Sequence, residues 1–411
     1  MTDWQDDVLE NCLEALLDYR GKSPPKSSVG IPVLSAKVVK TSGLLHPIEQ
    51  KIASDYYSKW MVRGLPHVGD VVMTTEGPMG EVIQLTEETV QYALGQRIVC
   101  LRGKSGVLDN TFLRYLLSSP SQQNILESYS TGTTVPGISQ KALRSVPISY
   151  PSFDTQKRIG ILLSSIDDKI DLNRRTNETL EAMARALFRD WFIDFGPTRA
   201  KIAGEAPYLA PELWELFPDK LDEEGKPEGW ETRPVKDFAN LKGGKQLAKD
   251  RIASTGRIPV FGGAGIMGFT DLHNADEFVI VVGRVGAYCG QFFSHRGKAW
   301  VNNNASLIDL HDNVSGEWLF QALKQADIDV IKKGAAQPFV SNSDVAELPI
   351  MWPGTNVISI FTKALCPLIL KSEQNEEESR PLTQLRDLLL PKLMSGEISI
   401  RDAEKMVEDA A

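Results

Sequence analysis

The sequence predicts an α+β fold: two pseudo-repeated, strand-rich domains separated by two long antiparallel coiled-coil helices. Three observations carry this expectation. Residues 132–151 (GTTVPGISQKALRSVPISYP) and 334–353 (GAAQPFVSNSDVAELPIMWP) say the same thing twice, with Gly132/Gly334, Pro136/Pro338, Ser139/Ser341, Pro147/Pro349, Ile148/Ile350 and Pro151/Pro353 coinciding at one constant offset. Upstream, Trp4, Gly21-Lys22 and IPV (31–33) recur in order as Trp230, Gly244-Lys245 and IPV (258–260). Each copy then runs into a long stretch of helical periodicity. The spacing between copies is far too long for a solenoid, so the chain is a duplicated module and does its work at two places.

Residues 1–150 form the first domain. Short β-branched runs such as GDVVMTT (69–75) and QRIVCLR (96–102) are punctuated by Gly and Pro, and FLRYLLSS (112–119) has the period of a helix. The segment 151–200 is the first spacer. Ile159, Leu163, Ile166, Ile170, Asn173, Asn177, Leu180, Ala184, Leu187 and Trp191 alternate in steps of four and three, a coiled-coil seam over more than four heptads. From Ile159 to Trp191 such a helix spans roughly 48 Å at ~1.5 Å per residue. Its central asparagines cost stability and normally fix register.

Residues 201–229 are a Pro-, Gly- and acid-rich linker with no period of its own. Residues 230–353 repeat the first domain: EFVIVVGRVG (277–286) and NASLIDL (304–310) read as strands, EWLFQALKQ (317–325) as a helix. Residues 354–411 are the distal spacer and tail. Ile358, Phe361, Leu365, Leu368, Ser372, Asn375, Ser379, Leu382, Leu385 and Leu389 follow the seam spacing with one phase slip. Pro367, Pro381 and Pro391 predict that this helix is broken or kinked. Both spacers are apolar at the ends and polar in the middle, which suits antiparallel pairing of polar centre on polar centre.

At 411 residues the chain is too long for one core, and its 42% hydrophobic and 24% charged composition is that of an ordinary water-soluble protein. Cys12, Cys100, Cys289 and Cys366 are isolated, which argues against a disulfide framework or zinc site and fits a reducing cytoplasm. The N-terminus lacks the signature of a secretory signal, and no apolar run is long enough to span a membrane. The net charge of −9 sits in the linker and the C-terminal segment; 201–229 alone carries three basic and eight acidic side chains. Both repeated domains are close to neutral, so overall charge neither excludes nor supports phosphate binding.

Two motifs tempt and fail. GGAGIMG holds GxGxxG (Gly263, Gly265, Gly268), but FTDLHNADEF follows where a dinucleotide site needs a helix to begin, so a turn between strands is expected. Pro218-Asp219 and Glu224-Gly225-Lys226 mimic a PD…ExK nuclease inside a strandless acidic linker that cannot converge carboxylates on a metal. No other catalytic or metal-ligating constellation is present, so the chain is expected not to be an enzyme and to hold no metal or cofactor.

Polar clusters on the loops remain. Arg20, Lys22 and Lys26 match Lys242, Lys245, Lys249 and Arg251; Thr131, Thr133, Thr134, Ser139 and Lys141 match Lys332, Lys333, Gln337, Ser341 and Asn342. Arg284, Arg296, Lys298 and the run Asn302-Asn303-Asn304 add to the second copy. Arg, Lys, Asn and Gln read guanine and adenine edges, while Ser, Thr and Lys hold phosphates. Each alone would pass as a solvated side chain; their recurrence makes them the candidate DNA-binding set.

With these parts in place, the chain resembles a specificity subunit of a type I restriction–modification enzyme. QKRIGILLSSIDDKIDLNRRTNETLEAMARALFRDWFIDF (156–195) resembles the family's central spacer, LFPDKLDEEGKPEGW (216–230) its lead into the second half, and LRDLLLPKLMSGEI (385–398) its distal spacer. Residues 1–150 and 230–353 resemble its two target-recognition domains in layout. The resemblance implies a non-catalytic reader in which each domain recognises one half of a split, asymmetric target in double-stranded DNA. It also implies that the spacers pair through Ile159, Leu163, Ile166, Ile170, Asn173, Asn177, Leu180, Leu187, Trp191, Leu382, Leu385 and Leu389, and dock two methyltransferase subunits. Restriction subunits would join the complex, with AdoMet, ATP and Mg on partner subunits. The rival reading is an interaction scaffold, a duplicated β-rich adaptor that holds proteins and never touches DNA.

Overall fold

The computed structural model describes residues 4–19, 23–132, 134–334 and 337–410. It divides into two compact units, Met1–Arg174 with Glu376–Ala411, and Arg175–Asn375. Each unit therefore takes one domain of the duplication together with half of each long helix.

The first unit is built on a four-stranded antiparallel sheet in the order Leu13–Asp18, Ile98–Gly103, Val71–Thr75, Met79–Gln84. Its inner strands are apolar on both faces because both are covered. Val71, Met73, Val99 and Leu101 face a core shared with Phe112, Leu163 and Leu389, while Val72, Ile98 and Cys100 face a second core with Val33, Leu34 and Leu94. Strand Ile31–Leu34 lies in that second layer, parallel to Ala93–Leu94 and antiparallel to Lys51–Ile52.

The second unit repeats the plan of the main sheet and its second layer. Its sheet runs Ala239–Gly243, Ala305–Leu310, Phe278–Gly283, Phe292–Arg296. Strand Ile258–Gly262 pairs in parallel with Trp300–Val301 and antiparallel with Gly265–Thr270, so the two IPV tripeptides occupy equivalent strands. GxGxxG is accordingly a hairpin, with Gly263 and Gly265 at its turn.

The duplicated residues have identifiable work. Gly132 (φ +100°) and Gly334 (φ +85°) close matching loops, where a Cβ would come within 2.7 Å of the Val135 carbonyl and 2.6 Å of the Gln337 carbonyl. Ser139 and Ser341 are N-caps, each accepting at 3.1 Å from the amide three residues on, Ala142 and Asp344. Pro147 and Pro349 open short strands that pair with Gln5–Val8 and Glu231–Pro234. The matching tryptophans, Trp4 and Trp230, each stand just before one of these partner strands.

Helix Phe153–Phe192 is continuous over 40 residues. Thr355–Met394 is a single helix of the same length, so the prolines do not break it as expected. Pro367 and Pro381 lie on its exposed side, where water can take up the carbonyls that lose a partner. The two run antiparallel: Asp167 meets Arg386 and Asn173 meets Ser379 in the first unit, and Asn177 meets Asn375 and Ser372 in the second. Ile159, Leu163 and Ile166 are buried, with Ile170, Leu382 and Leu385 packed against the same core. In the second unit Ala184 and Trp191 are buried with Phe361 and Leu365, and Leu187 packs against them. Leu180 is half-buried.

The linker is folded onto the second unit rather than loose. Phe217 and Trp230 close on Trp191 and Phe192 at ring separations of 5.1 and 5.8 Å. Lys226 pairs with Asp222 at 2.6 Å and with Glu224. The PD…ExK look-alike is thus a salt-bridged turn.

Candidate nucleic-acid interface

Asp167 is the polar pin of the first unit. It accepts from Arg114 (2.9 Å), the Tyr115 hydroxyl (2.7 Å) and Arg386 (3.1 Å), joining the helix Asn110–Ser118 to both long helices. Burial, ahead of the effect of neighbouring charges, pushes the Tyr115 phenol well up, so it stays a neutral donor. Asp70, 1% exposed, takes a two-pronged guanidinium from Arg102 at 2.8 and 2.7 Å. In the second unit Lys324 bonds Glu181 and holds its carboxyl below the usual range. These networks tie helices and strands together within each unit. Cys12, Cys100 and Cys289 are buried and burial raises their thiols, which makes them inert. Among the described residues no three His, Cys, Asp or Glu side chains are arranged to hold a metal.

What the folding brings together, in each unit, is one end of the sheet and the loop common to both copies. In the first unit the Thr131 to Gly137 loop bridges Glu76, and the Ile138 amide donates to the Thr75 carbonyl at 3.0 Å. Arg97, with φ +60°, sits across from Thr75 and pairs with Glu76 at 3.5 Å. In the second unit the Lys333 to Phe339 loop bridges Val285, and the Val340 amide donates to the Arg284 carbonyl at 2.9 Å. The Thr75 amide donates to Arg97 (2.8 Å) as the Arg284 amide donates to Asn304 (3.2 Å), so Thr75 and Arg284 are equivalent, as are Arg97 and Asn304. Around Arg284 stand the exposed side chains of Val285, Tyr288 and Phe339. This mixture of aromatic, amide and guanidinium groups suits base edges and stacking better than a smooth protein surface.

The sequence-selected residues scatter against this geometry. Arg20, Lys22 and Thr133 lie outside the described residues. Lys26, Thr134, Lys141, Lys245, Lys298, Asn303 and Gln337 are exposed. Lys242 pairs with Asp309 (2.5 Å), Lys332 with Asp329 (2.7 Å) and Lys333 with Asp344 (2.8 Å). Asn342 accepts from Ser306 at 2.6 Å, and Ser139 and Ser341 cap helices. Arg296 is tied to Glu317 (2.8 Å) and Glu373 (3.1 Å), which fastens its strand to the helix Gly316–Gln325 and to the distal helix. Thr75 and Arg97 were missed. Neither has a sequence signal, since their equivalence to Arg284 and Asn304 exists only through the sheet register.

Fold and site together define a duplicated molecule that presents matched loop clusters, one in each unit. The sequence profile described as type I restriction modification DNA specificity domain matches residues 19–182 and 227–378, and the chain belongs to that family. It is similar to the HindI specificity subunit of Haemophilus influenzae, 25% identical with 80% of this chain and 86% of the relative covered. It is likewise similar to the MjaIX specificity subunit of Methanocaldococcus jannaschii, at 26% with 81% and 78% covered. The crystal structure of the type I restriction-modification S subunit from M. genitalium has the same fold, with a TM-score of 0.62 at 19% identity, covering 95% of this chain and 96% of that one. As a specificity subunit, the chain leaves catalysis to other subunits. No helix among the described residues is long and apolar enough to cross a membrane.

Proposed function

We propose that this chain reads an asymmetric, two-part target in double-stranded DNA, one half with each unit, and scaffolds two methyltransferase subunits plus restriction subunits in the cytoplasm. The observation that carries the reading is the duplication itself. Two units share one sheet order and one loop geometry, yet place different side chains at equivalent loop positions. Identical readers impose palindromes; diverged ones read two different half-sites. The long helices, each contributing to both units, would set the gap between halves and offer the docking surface for the methyltransferases. AdoMet, ATP and Mg belong on those partners.

The test replaces residues 1–150 with the matching segment of a relative and sequences the methylated motif in cells. One half of the motif should change while the other stays. Change in both halves, or in neither, would defeat the modular reading. The scaffold alternative is separated by measuring DNA binding of the chain with its methyltransferase partner at two salt concentrations. A steep fall in affinity with salt marks phosphate contacts, and its absence favours a protein-only scaffold.

A further inference from the structure

Among the described residues six buried side-chain polar atoms lack a hydrogen-bond partner, and two of the six, Thr75 Oγ1 and Arg284 Nε, fall on the equivalent positions of the two units. The other four belong to Trp191, Thr198, Trp318 and Gln321, on helices away from the loop clusters. A buried donor or acceptor without a partner costs stability, and such groups are rare where nothing compensates. Recurrence at one structural position in a duplicated molecule argues against accident, particularly as the two residue types differ.

Both residues sit at the exit of an inner strand, under the loop whose glycine, bridge and serine cap are common to the units. Arg284 is half-buried, has no ion pair among the described residues, and lies beside Gly243, where a Cβ would come within 3.9 Å of its Nη1. Two lysines of the adjoining loop are already engaged, Lys332 with Asp329 and Lys333 with Asp344. Arg284 is thus a guanidinium held without a carboxylate. Its planar fork matches the O6 and N7 acceptors of guanine, the commonest specific contact in major-groove recognition. Thr75 places instead a small side chain, 1% exposed, at the equivalent position beneath its loop.

Resting on the DNA-reading proposal above, we infer that the Thr75/Arg284 position is a specificity-determining position of each unit, with Arg284 reading a guanine in the half-site of the second. The experiment is methylome sequencing in cells carrying the chain with its partner subunits, using R284A, R284K and T75V, with deletion of the chain as control. In R284A one G·C pair in one half-site should become degenerate, discrimination there falling about 5- to 150-fold. R284K should relax the same pair, because lysine keeps the charge but loses the fork. T75V, nearly isosteric, should relax one position in the other half. An unchanged motif in R284A or R284K overturns the assignment of Arg284, and in T75V that of Thr75. Uniformly weaker methylation in R284A with the motif intact, restored by R284K, makes Arg284 a phosphate anchor and also overturns it. If R284A fails to assemble, R284K and T75V decide. A motif that survives deletion of the chain would instead sink the DNA-reading proposal itself.

Discussion

Replacing Asn177 by Leu in the seam of the long helices should destabilise the protein, whereas replacing Asn177 and Asn375 together should not. Seam statistics alone predict that leucine tightens the pair at the cost of register. The contacts reverse the sign for the single change. Asn177 donates to the Ser372 carbonyl at 3.1 Å and accepts from Asn375 Nδ2 at 2.8 Å, and Asn375 is 2% exposed. Leucine at 177 removes both bonds while the polar groups of the partner helix stay buried. Each group so deprived costs ~1–3 kcal/mol. Burying a leucine side chain returns ~1.5–3 kcal/mol at best, less against a polar neighbour. The net loss is about 1–2 kcal/mol, or ~2–8 °C in a unit of this size. When both asparagines become leucine, the Asn177–Asn375 bond loses both partners together and only the Ser372 carbonyl is left without its donor, which brings the double variant close to neutral.

The assay is a double-mutant cycle on denaturant midpoints with N177L, N375L and the double variant. A coupling near 2 kcal/mol is expected, well above the ~0.3–0.5 kcal/mol within which independent sites add. Additive effects, or a single N177L variant more stable than wild type, would refute the reasoning. The parallel site, Asn173 with Glu378 (2.9 Å) and Ser379 (3.1 Å), supplies an internal repeat of the experiment in the other unit.

Three further outcomes are expected. Asp167→Ala takes the shared acceptor from Arg114, Tyr115 and Arg386 and should cost ~2–4 kcal/mol by denaturant unfolding, with Asp167→Asn intermediate; a change below ~0.5 kcal/mol would show the pin is idle. Glu181 is held below its ordinary pKa by Lys324, so its contribution is full above the unfolded value and fades as pH falls through the folded one; K324M should flatten the acid limb of a midpoint-versus-pH curve, and an unchanged limb would remove this pair from the account. Matched seven-residue insertions after Ile170 and within Arg380–Thr383 keep both Asp167–Arg386 and Asn173–Ser379 in register and lengthen the pair by ~10 Å, so the sequenced motif should keep its half-sites and widen its gap by about three base pairs. An insertion in one helix alone would have to break one of those contacts, and an unaltered gap in an active complex would refute the spacing role.

Much of the fold was legible because its signals are local. Continuous β-branched and apolar runs in GDVVMTT and QRIVCLR, a heptad from Ile159 to Trp191, and the Gly, Pro and Ser of the repeat each specify backbone geometry by themselves. The distal helix was misjudged because proline chemistry is local too, while its remedy is not. Pro367 and Pro381 are tolerated through the side of the helix on which they lie, and sequence spacing shows that only after the partner helix is placed. The candidate interface was the least legible part. Lys242, Lys333 and Arg296 look available in a string of letters, but their carboxylates come from remote positions, up to the Glu373 that holds Arg296.

The same comparison changes how repetition is to be weighed in a duplicated reader. Of the residues identical in both copies only the Ser139/Ser341 pair belongs to the candidate binding set; the glycines and prolines mark the duplication. In the structure Ser139 and Ser341 cap helices, Gly132 and Gly334 close loops, and the prolines open strands. Identity between copies marks what both must build, the same backbone, and a backbone cannot tell one half-site from another. If each unit reads its own half-site, as proposed above, discrimination would reside where the backbone coincides and the side chains do not: Thr75 against Arg284, Arg97 against Asn304, Thr131 against Lys333. At the first of these pairs the fold also leaves a buried polar atom unpaired in both copies, a cost that a scaffold would have no reason to keep twice.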